Sequence, residues 1–345
     1  MSTAPAAFPL RDAWTPLVPL LPLLAATLLL APLIDPAAEL TFLDVVAGDF
    51  IAQPARNYVH LGDLLSYGAL AAVHTLLCLG IVAAFALWIL RLAAPQRHAA
   101  LAFLAAVLTL ILAFGLIVAA QSDHVVLVQL GYKAACQLLA AAELPTPLIA
   151  PGQCFLAGHI SPLTWLAWVP TFAGIATVAF AAAFAYGAAR DLPAAPGGED
   201  WRQALEARVK ALQRSVYLLS AVLVSSTVTI TVFAHLPVGL LAEGKPPALA
   251  GAVATYATGL STFWGALFSA TLAATFAVPA LRLLGQAYGA ARADAPGGDG
   301  GSALRAWLHD HVFQSLKRQL ATALSLLAPL LVGPLSSLLA GVSGL

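Results

Sequence analysis

Seven runs of predominantly apolar residues, each about 20 residues long, extend along the chain. A helix of that length crosses the hydrocarbon core of a bilayer with its backbone polar groups bonded internally. The sequence therefore predicts an all-α, polytopic integral membrane protein with one helical transmembrane domain over residues 1–345. The predicted spans are 16–34, 67–90, 99–120, 162–187, 215–236, 261–284 and 320–342.

The first and last of these spans contain residues that break helices. The first has prolines at positions 16, 19, 22 and 32, which predict a kink. The last contains Pro329, Gly333 and Pro334. It is either a true crossing or a re-entrant segment, and the second alternative leaves six crossings.

The composition supports a lipid environment and excludes one class of partner. Only 9% of the residues are charged and 61% are hydrophobic, whereas soluble domains carry about 25% charged residues. The formal net charge is zero. A nucleic-acid partner is therefore not expected, because no basic surface is available to neutralise phosphates. The expected partner is the lipid bilayer itself, together with a second copy of the chain or another membrane or cytoplasmic protein.

The distribution of basic residues predicts the orientation. If the N-terminus is cytoplasmic, only Arg56, Lys133 and Lys245 of the 16 Lys and Arg residues lie outside. Cytoplasmic segments carry an excess of Lys and Arg, so this arrangement is favoured. Residues 35–66 and 121–161 then form extracytoplasmic loops. Together with the Ala-, Leu- and Arg-rich composition, this pattern predicts a multi-pass protein of a bacterial inner membrane.

The word AYGAAR occurs twice, at Ala185–Arg190 and at Ala287–Arg292. Each copy ends a predicted span and precedes a cytoplasmic linker, at 191–213 and 293–318, that includes an amphipathic helix. This order predicts a parallel internal repeat, 162–236 and 261–342. Chance similarity between Ala- and Gly-rich segments is the alternative.

The amphipathic helices of the two linkers carry aromatic residues on their apolar faces. Trp201 belongs to the first helix, and Trp307 and Phe313 belong to the second. Such helices lie in the membrane interface with the apolar face towards lipid. The functional alternative is that these three aromatic residues dock a partner or couple a cytoplasmic event to the spans.

His74 is an ionisable residue well inside a predicted span, and such residues are costly and usually functional. Cys78 lies four residues further on and so shares its helical face. We consider a role for His74 as an intramembrane switch or proton relay. The alternative is a neutral histidine that is hydrogen-bonded to a neighbouring helix.

The fifth and sixth spans are rich in hydroxyl side chains near their centres. Hydroxyls at this depth either line a permeation path or bond their own helix and pack helices closely. The candidate path-lining residues are Ser220, Ser225, Ser226, Thr227, Thr229 and Thr231 of the fifth span and Ser269 and Thr271 of the sixth.

Signals for catalysis, cofactors and metals are weak. The chain has no Walker A, HExxH, CxxC or GxSxG motif, so we predict no catalytic, cofactor-binding or metal-ligating residues and name no cofactor. Cys136 and Cys154 share an outer loop, where the compartment permits a disulfide.

The leading functional hypothesis is a membrane permeation protein, a channel or pore-type effector with a hydroxyl-lined path. The alternative is a non-catalytic membrane scaffold or subunit that docks a partner through the cytoplasmic amphipathic helices. An intramembrane enzyme that uses His74 is the third and least favoured hypothesis.

Overall fold

Long apolar runs with few glycines or prolines form long helices in this chain. The computed structural model describes residues 14–30, 54–120, 162–190, 199–241, 247–294, 322 and 324–332. All regular structure in these ranges is helical, as predicted. A 3-10 helix at Thr15–Leu20 leads into α1 (Leu21–Leu30), which is followed by α2 (Pro54–Arg91), α3 (Ala94–Ala120), α4 (Pro162–Ala188), α5 (Glu199–Leu241) and α6 (Pro247–Asp294). Residues 324–332 form a further short helix, α7.

Five helices in the described ranges are long and apolar enough to cross a membrane, which confirms the prediction of a multi-pass membrane protein. They are Leu65–Arg91, Ala94–Leu116, Leu166–Ala188, Gln203–Leu236 and Ala254–Tyr288, with mean hydropathy between 1.6 and 2.6. They match five of the predicted spans. The predicted first span is a shorter apolar helix, Thr15–Leu29. Only residues 322 and 324–332 of the predicted last span are described, so seven crossings and a cytoplasmic N-terminus stay predictions.

The surface of α2 shows how these helices meet lipid. Its buried face recurs every three or four residues, and the opposite face exposes leucines at 54–69% of their surface. A row of exposed leucines is costly in water and favourable against lipid chains. The buried residues are Tyr67, Ala71, His74, Cys78, Ile81, Phe85 and Ile89, and the exposed leucines are Leu65, Leu76, Leu79, Leu87 and Leu90.

The linker predicted between the fourth and fifth spans, with an amphipathic helix, is helical from residue 199 onward. Residues 199–213, placed in the linker 191–213, belong to α5 and continue into the fifth span without a break. No glycine or proline occurs between Trp201 and Leu236, so nothing in the sequence interrupts the helix. Helix α2 also begins earlier than its predicted span, at Pro54, within the predicted outer loop 35–66. The loop 121–161 lies outside the described residues.

Helix α4 lies at the centre of the packing, against α2, α3, α5 and α6. Its C-terminal half is rich in alanine, and the alanines at 179, 181–183 and 185 are buried. A Cβ on Gly187 would lie 2.8 Å from the Ala100 Cβ and 3.0 Å from the Gln96 carbonyl oxygen. Small residues thus let the backbones of α3 and α4 touch, as in other membrane helix pairs.

The two AYGAAR copies lie in different environments. The first ends α4 at Ala188, whereas the second lies inside α6, which continues to Asp294. Tyr186 of the first copy is 2% exposed and stacks on Phe103, while Tyr288 of the second is 41% exposed. The internal repeat stays a prediction, and Tyr186 gives the first copy a packing role of its own.

Candidate functional site

His74 lies where α2, α4 and α5 meet. Its side chain is 2% exposed, on the face of α2 that packs against the other two helices. Helix α4 contributes Gly174, where an added Cβ would lie 3.6 Å from His74 Nε2 and 3.7 Å from the Ser226 hydroxyl. The buried imidazole is therefore enclosed by both of the helices that pack against α2 here.

Two consecutive serines of α5 form hydrogen bonds with the two ring nitrogens of His74. Nδ1 lies 3.0 Å from the Ser225 hydroxyl, and Nε2 lies 3.3 Å from the Ser226 hydroxyl. A neutral imidazole has one donor and one acceptor, and a serine hydroxyl can take either role. Both nitrogens are therefore satisfied in either tautomer. We refer to His74, Ser225 and Ser226 as the polar junction.

A thiol and a third hydroxyl extend the polar junction along α2 and α4. The Cys78 sulfur lies 3.4 Å from His74 Nε2. The Thr177 hydroxyl of α4 lies 3.4 Å from the Cys78 carbonyl oxygen and 2.8 Å from the carbonyl of Ala173 in its own helix. Cys78 is a free, fully buried thiol. The junction thus links three helices through side chains far apart in sequence.

A proline in α4 supplies a further link beside the polar junction. Pro170 has no N–H, so the Leu166 carbonyl loses its usual helical donor. The Tyr67 hydroxyl of α2 donates to that carbonyl at 3.0 Å. The Tyr67 ring also packs against Phe233 of α5, with centroids 5.1 Å apart. Tyr67 therefore holds the proline-containing part of α4 in place against α2 and α5.

The predicted path-lining threonines bond within their own helices. The hydroxyls of Thr227, Thr229 and Thr231 donate to the carbonyls four residues earlier at 2.8–2.9 Å. Thr271 of α6 does the same at 2.9 Å. Such bonds within a helix are what we expect if these hydroxyls serve helix packing rather than a path. Their role in a path stays a prediction.

Ser220 and Ser269 behave differently from these threonines. The Ser220 hydroxyl donates to the Ser325 carbonyl at 2.6 Å, and the Leu330 N–H donates to the Ser269 hydroxyl at 3.2 Å. Two predicted path-lining residues on different helices thus bond the backbone of one segment, α7.

The candidate docking residue Trp201 is packed inside the chain. Its exposed fraction is 5%, and it belongs with Leu205 to the main hydrophobic core. Nearby, Arg208 donates to the Arg190 carbonyl just beyond the end of α4. The other docking candidates, Trp307 and Phe313, lie outside the described residues. So do Cys136 and Cys154.

Among the residues that the structure describes, no group of three or more His, Cys, Asp or Glu side chains could hold a metal ion. The polar junction offers only one imidazole and one thiol with hydroxyls, and this is a poor donor set for transition metals. The groups that the polar junction does offer, an imidazole and hydroxyls, can each donate and accept hydrogen bonds.

No protein-family model, no curated protein and no solved structure matches this chain. The sequence pointed to His74, Ser225 and Ser226 but missed Tyr67 and Gly174. Prolines inside apolar runs were the available signal for Tyr67, because each such proline leaves a carbonyl that another helix must satisfy.

Proposed function

We propose that this protein is a membrane permeation protein in which the polar junction controls a hydroxyl-lined path. The observation that carries the proposal is the buried imidazole of His74 with both ring nitrogens bonded to consecutive serines of another helix. Ionisable residues inside spans are usually functional. Because α2, α4 and α5 all meet at this imidazole, a change in its hydrogen bonds acts on three helices.

The chemistry of the polar junction fits the passage of a proton or a small ion. Serine hydroxyls and a histidine ring can exchange donor and acceptor roles. Hydroxyl and carbonyl oxygens can also replace the water around an ion. Unlike Thr227 and Thr231, whose hydroxyls bond their own helix, Ser225 and Ser226 direct their hydroxyls to another helix. They are therefore the hydroxyls of α5 that we assign to control.

One observation favours this proposal over a scaffold that docks partners through the first amphipathic helix. Trp201 and Leu205, which such a docking face would use, are buried in the chain's own core.

The proposal includes a location and an orientation. The charge distribution favours a cytoplasmic N-terminus, and the seven apolar runs favour seven crossings. The Ala-, Leu- and Arg-rich composition favours a bacterial inner membrane. In that orientation, His74 lies about 13 Å from the outer end of its span, given a rise of about 1.5 Å per residue.

The test is ion and proton flux through purified protein in liposomes, with His74→Gln compared to the parent. Glutamine still forms hydrogen bonds but does not titrate. We expect flux to fall about tenfold, the effect of roughly 1.4 kcal/mol on a barrier.

His235→Gln is the matched control, because His235 lies on α5 and donates to the Thr231 carbonyl of its own helix at 2.8 Å rather than to another helix. We expect its flux to stay within about twofold of the parent. Equal flux in His74→Gln and the parent, at equal incorporation, would contradict the proposal.

A further inference from the structure

Hydrogen bonds with hydroxyl side chains hold α7 in place: two reach α7 itself, and a third reaches Thr322, two residues before it. The Tyr217 hydroxyl lies 3.0 Å from the Thr322 hydroxyl, next to the start of α7. Ser220, also on α5, donates to the Ser325 carbonyl, and Ser269 of α6 accepts from the Leu330 N–H. The segment thus lies between α5 and α6, bonded to both.

A proline explains why the backbone of α7 needs these partners. Pro329 has no N–H, so the Ser325 carbonyl four residues earlier lacks its helical donor. Ser220 supplies the missing donor at 2.6 Å. The arrangement repeats the one at Pro170, where Tyr67 supplies the donor for Leu166.

The contact between α6 and α7 is backbone against backbone. A Cβ on Gly265 would lie 2.5 Å from the Pro329 carbonyl oxygen and 3.2 Å from the Leu330 Cα. Real Cβ contacts are not this short, so α7 can dock in this position only beside a glycine. Gly259 and Gly285 of the same helix have no atom within 4 Å of an added Cβ.

Among the described residues, one side of α7 is only partly covered. Leu324, Leu327 and Leu331 are each about half exposed, while Leu326 packs against the main core. A helix bound on one face, largely through hydroxyl–backbone bonds, can leave its groove without breaking up a large apolar core.

We propose that α7 is the gate of the hydroxyl-lined path. When α7 is docked, its backbone is hydrogen-bonded to the hydroxyls of Ser220 and Ser269. When α7 leaves the groove between α5 and α6, both hydroxyls are freed to line the path. This inference rests on the proposed permeation function and adds the element that regulates it.

The first test measures docking independently of flux. Ser269→Cys, in full-length protein with Cys136→Ser and Cys154→Ser, is labelled in liposomes with a water-soluble methanethiosulfonate. Adding Gly265→Ala, which forces α7 away, should speed labelling about fivefold or more. Gly259→Ala, the matched control, should leave the rate unchanged. Equal labelling rates in the two glycine variants would overturn the docking.

The second test measures gating and does not depend on Gly265→Ala. In the pair Ser269→Cys and Leu330→Cys, a disulfide would tether α7 in its docked position. We expect oxidation to lower flux about fivefold or more and reductant to restore it. Flux that is the same in the oxidised and reduced protein would overturn the gate.

The two measurements separate failure of the gate from failure of the proposed function. Parent flux that depends on His74 but not on the tether refutes only the gate. Absence of flux in the parent and in every variant refutes the permeation function and the gate together, and the labelling rates then show only whether α7 detaches.

Discussion

Most hydroxyl side chains of the described membrane helices fall into two groups, while Thr177 bonds both its own helix and α2. Thr227 and Ser215 bond carbonyls of their own helix, which satisfies the hydroxyl at no cost to the packing. Ser225, Ser226 and Ser220 instead reach another helix or segment. Only the second group links helices. Substitutions in the second group should therefore change flux, while those in the first group should not.

Gly187 is the residue at which close packing of α3 and α4 is most restrictive. Gly187→Ala would place a Cβ against Ala100 and the Gln96 backbone. Overpacking of this kind costs about 1–3 kcal/mol. We expect a lower midpoint of thermal unfolding in detergent, measured by intrinsic fluorescence.

Gly115→Ala on α3 is the control for that substitution. An added Cβ at Gly115 meets nothing within 4 Å, and alanine is the better helix former. Its midpoint should equal or exceed that of the parent. A Gly187→Ala midpoint equal to that of Gly115→Ala would show that the two helices do not touch here.

Two helices contain a proline whose freed carbonyl is bonded by a side chain from another helix. Leu166 is bonded by Tyr67, and Ser325 is bonded by Ser220. Inside a membrane, an unsatisfied carbonyl costs several kcal/mol. These bonds therefore hold α4 against α2 and stabilise the docked position of α7 against α5.

Tyr67→Phe should destabilise the protein by about 1–3 kcal/mol, because the buried Leu166 carbonyl is left unsatisfied while the ring contact is kept. In a Pro170→Ala background, the restored N–H of residue 170 can bond that carbonyl. The same tyrosine substitution should then cost little. A double-mutant cycle of unfolding midpoints measures this difference. Additive effects would show that Tyr67 does not act through the Leu166 carbonyl.

The five described spans were predictable from sequence because bilayer thickness sets their length and lipid sets their apolarity. The continuity of α5 across residues 199–241 was not predicted, although the lack of glycine and proline after Trp201 signals it. His74, Ser225 and Ser226 were each predictable as unusual polar residues in spans. Their contact was not predictable, because 151 residues separate His74 from Ser225 and a single sequence does not indicate which distant residues meet in the fold.

At the level of the whole molecule, the orientation is open to direct measurement. A reporter fused after Leu345 should report an extracytoplasmic location if seven helices cross and the N-terminus is cytoplasmic. Alkaline phosphatase activity and green fluorescence give opposite signals on the two sides of the membrane. A fluorescent, phosphatase-inactive fusion would contradict the seven-span topology.

The most direct test of the central claim is flux in liposomes through a Ser225→Ala and Ser226→Ala double variant. The control is Ser215→Ala with Ser261→Ala, whose buried hydroxyls bond carbonyls of their own helices at 2.8–2.9 Å. At equal incorporation, the account predicts that flux falls about tenfold in the first double variant and stays near the parent value in the second. Equal flux in the parent and in the Ser225/Ser226 variant would contradict the claim that the polar junction controls permeation.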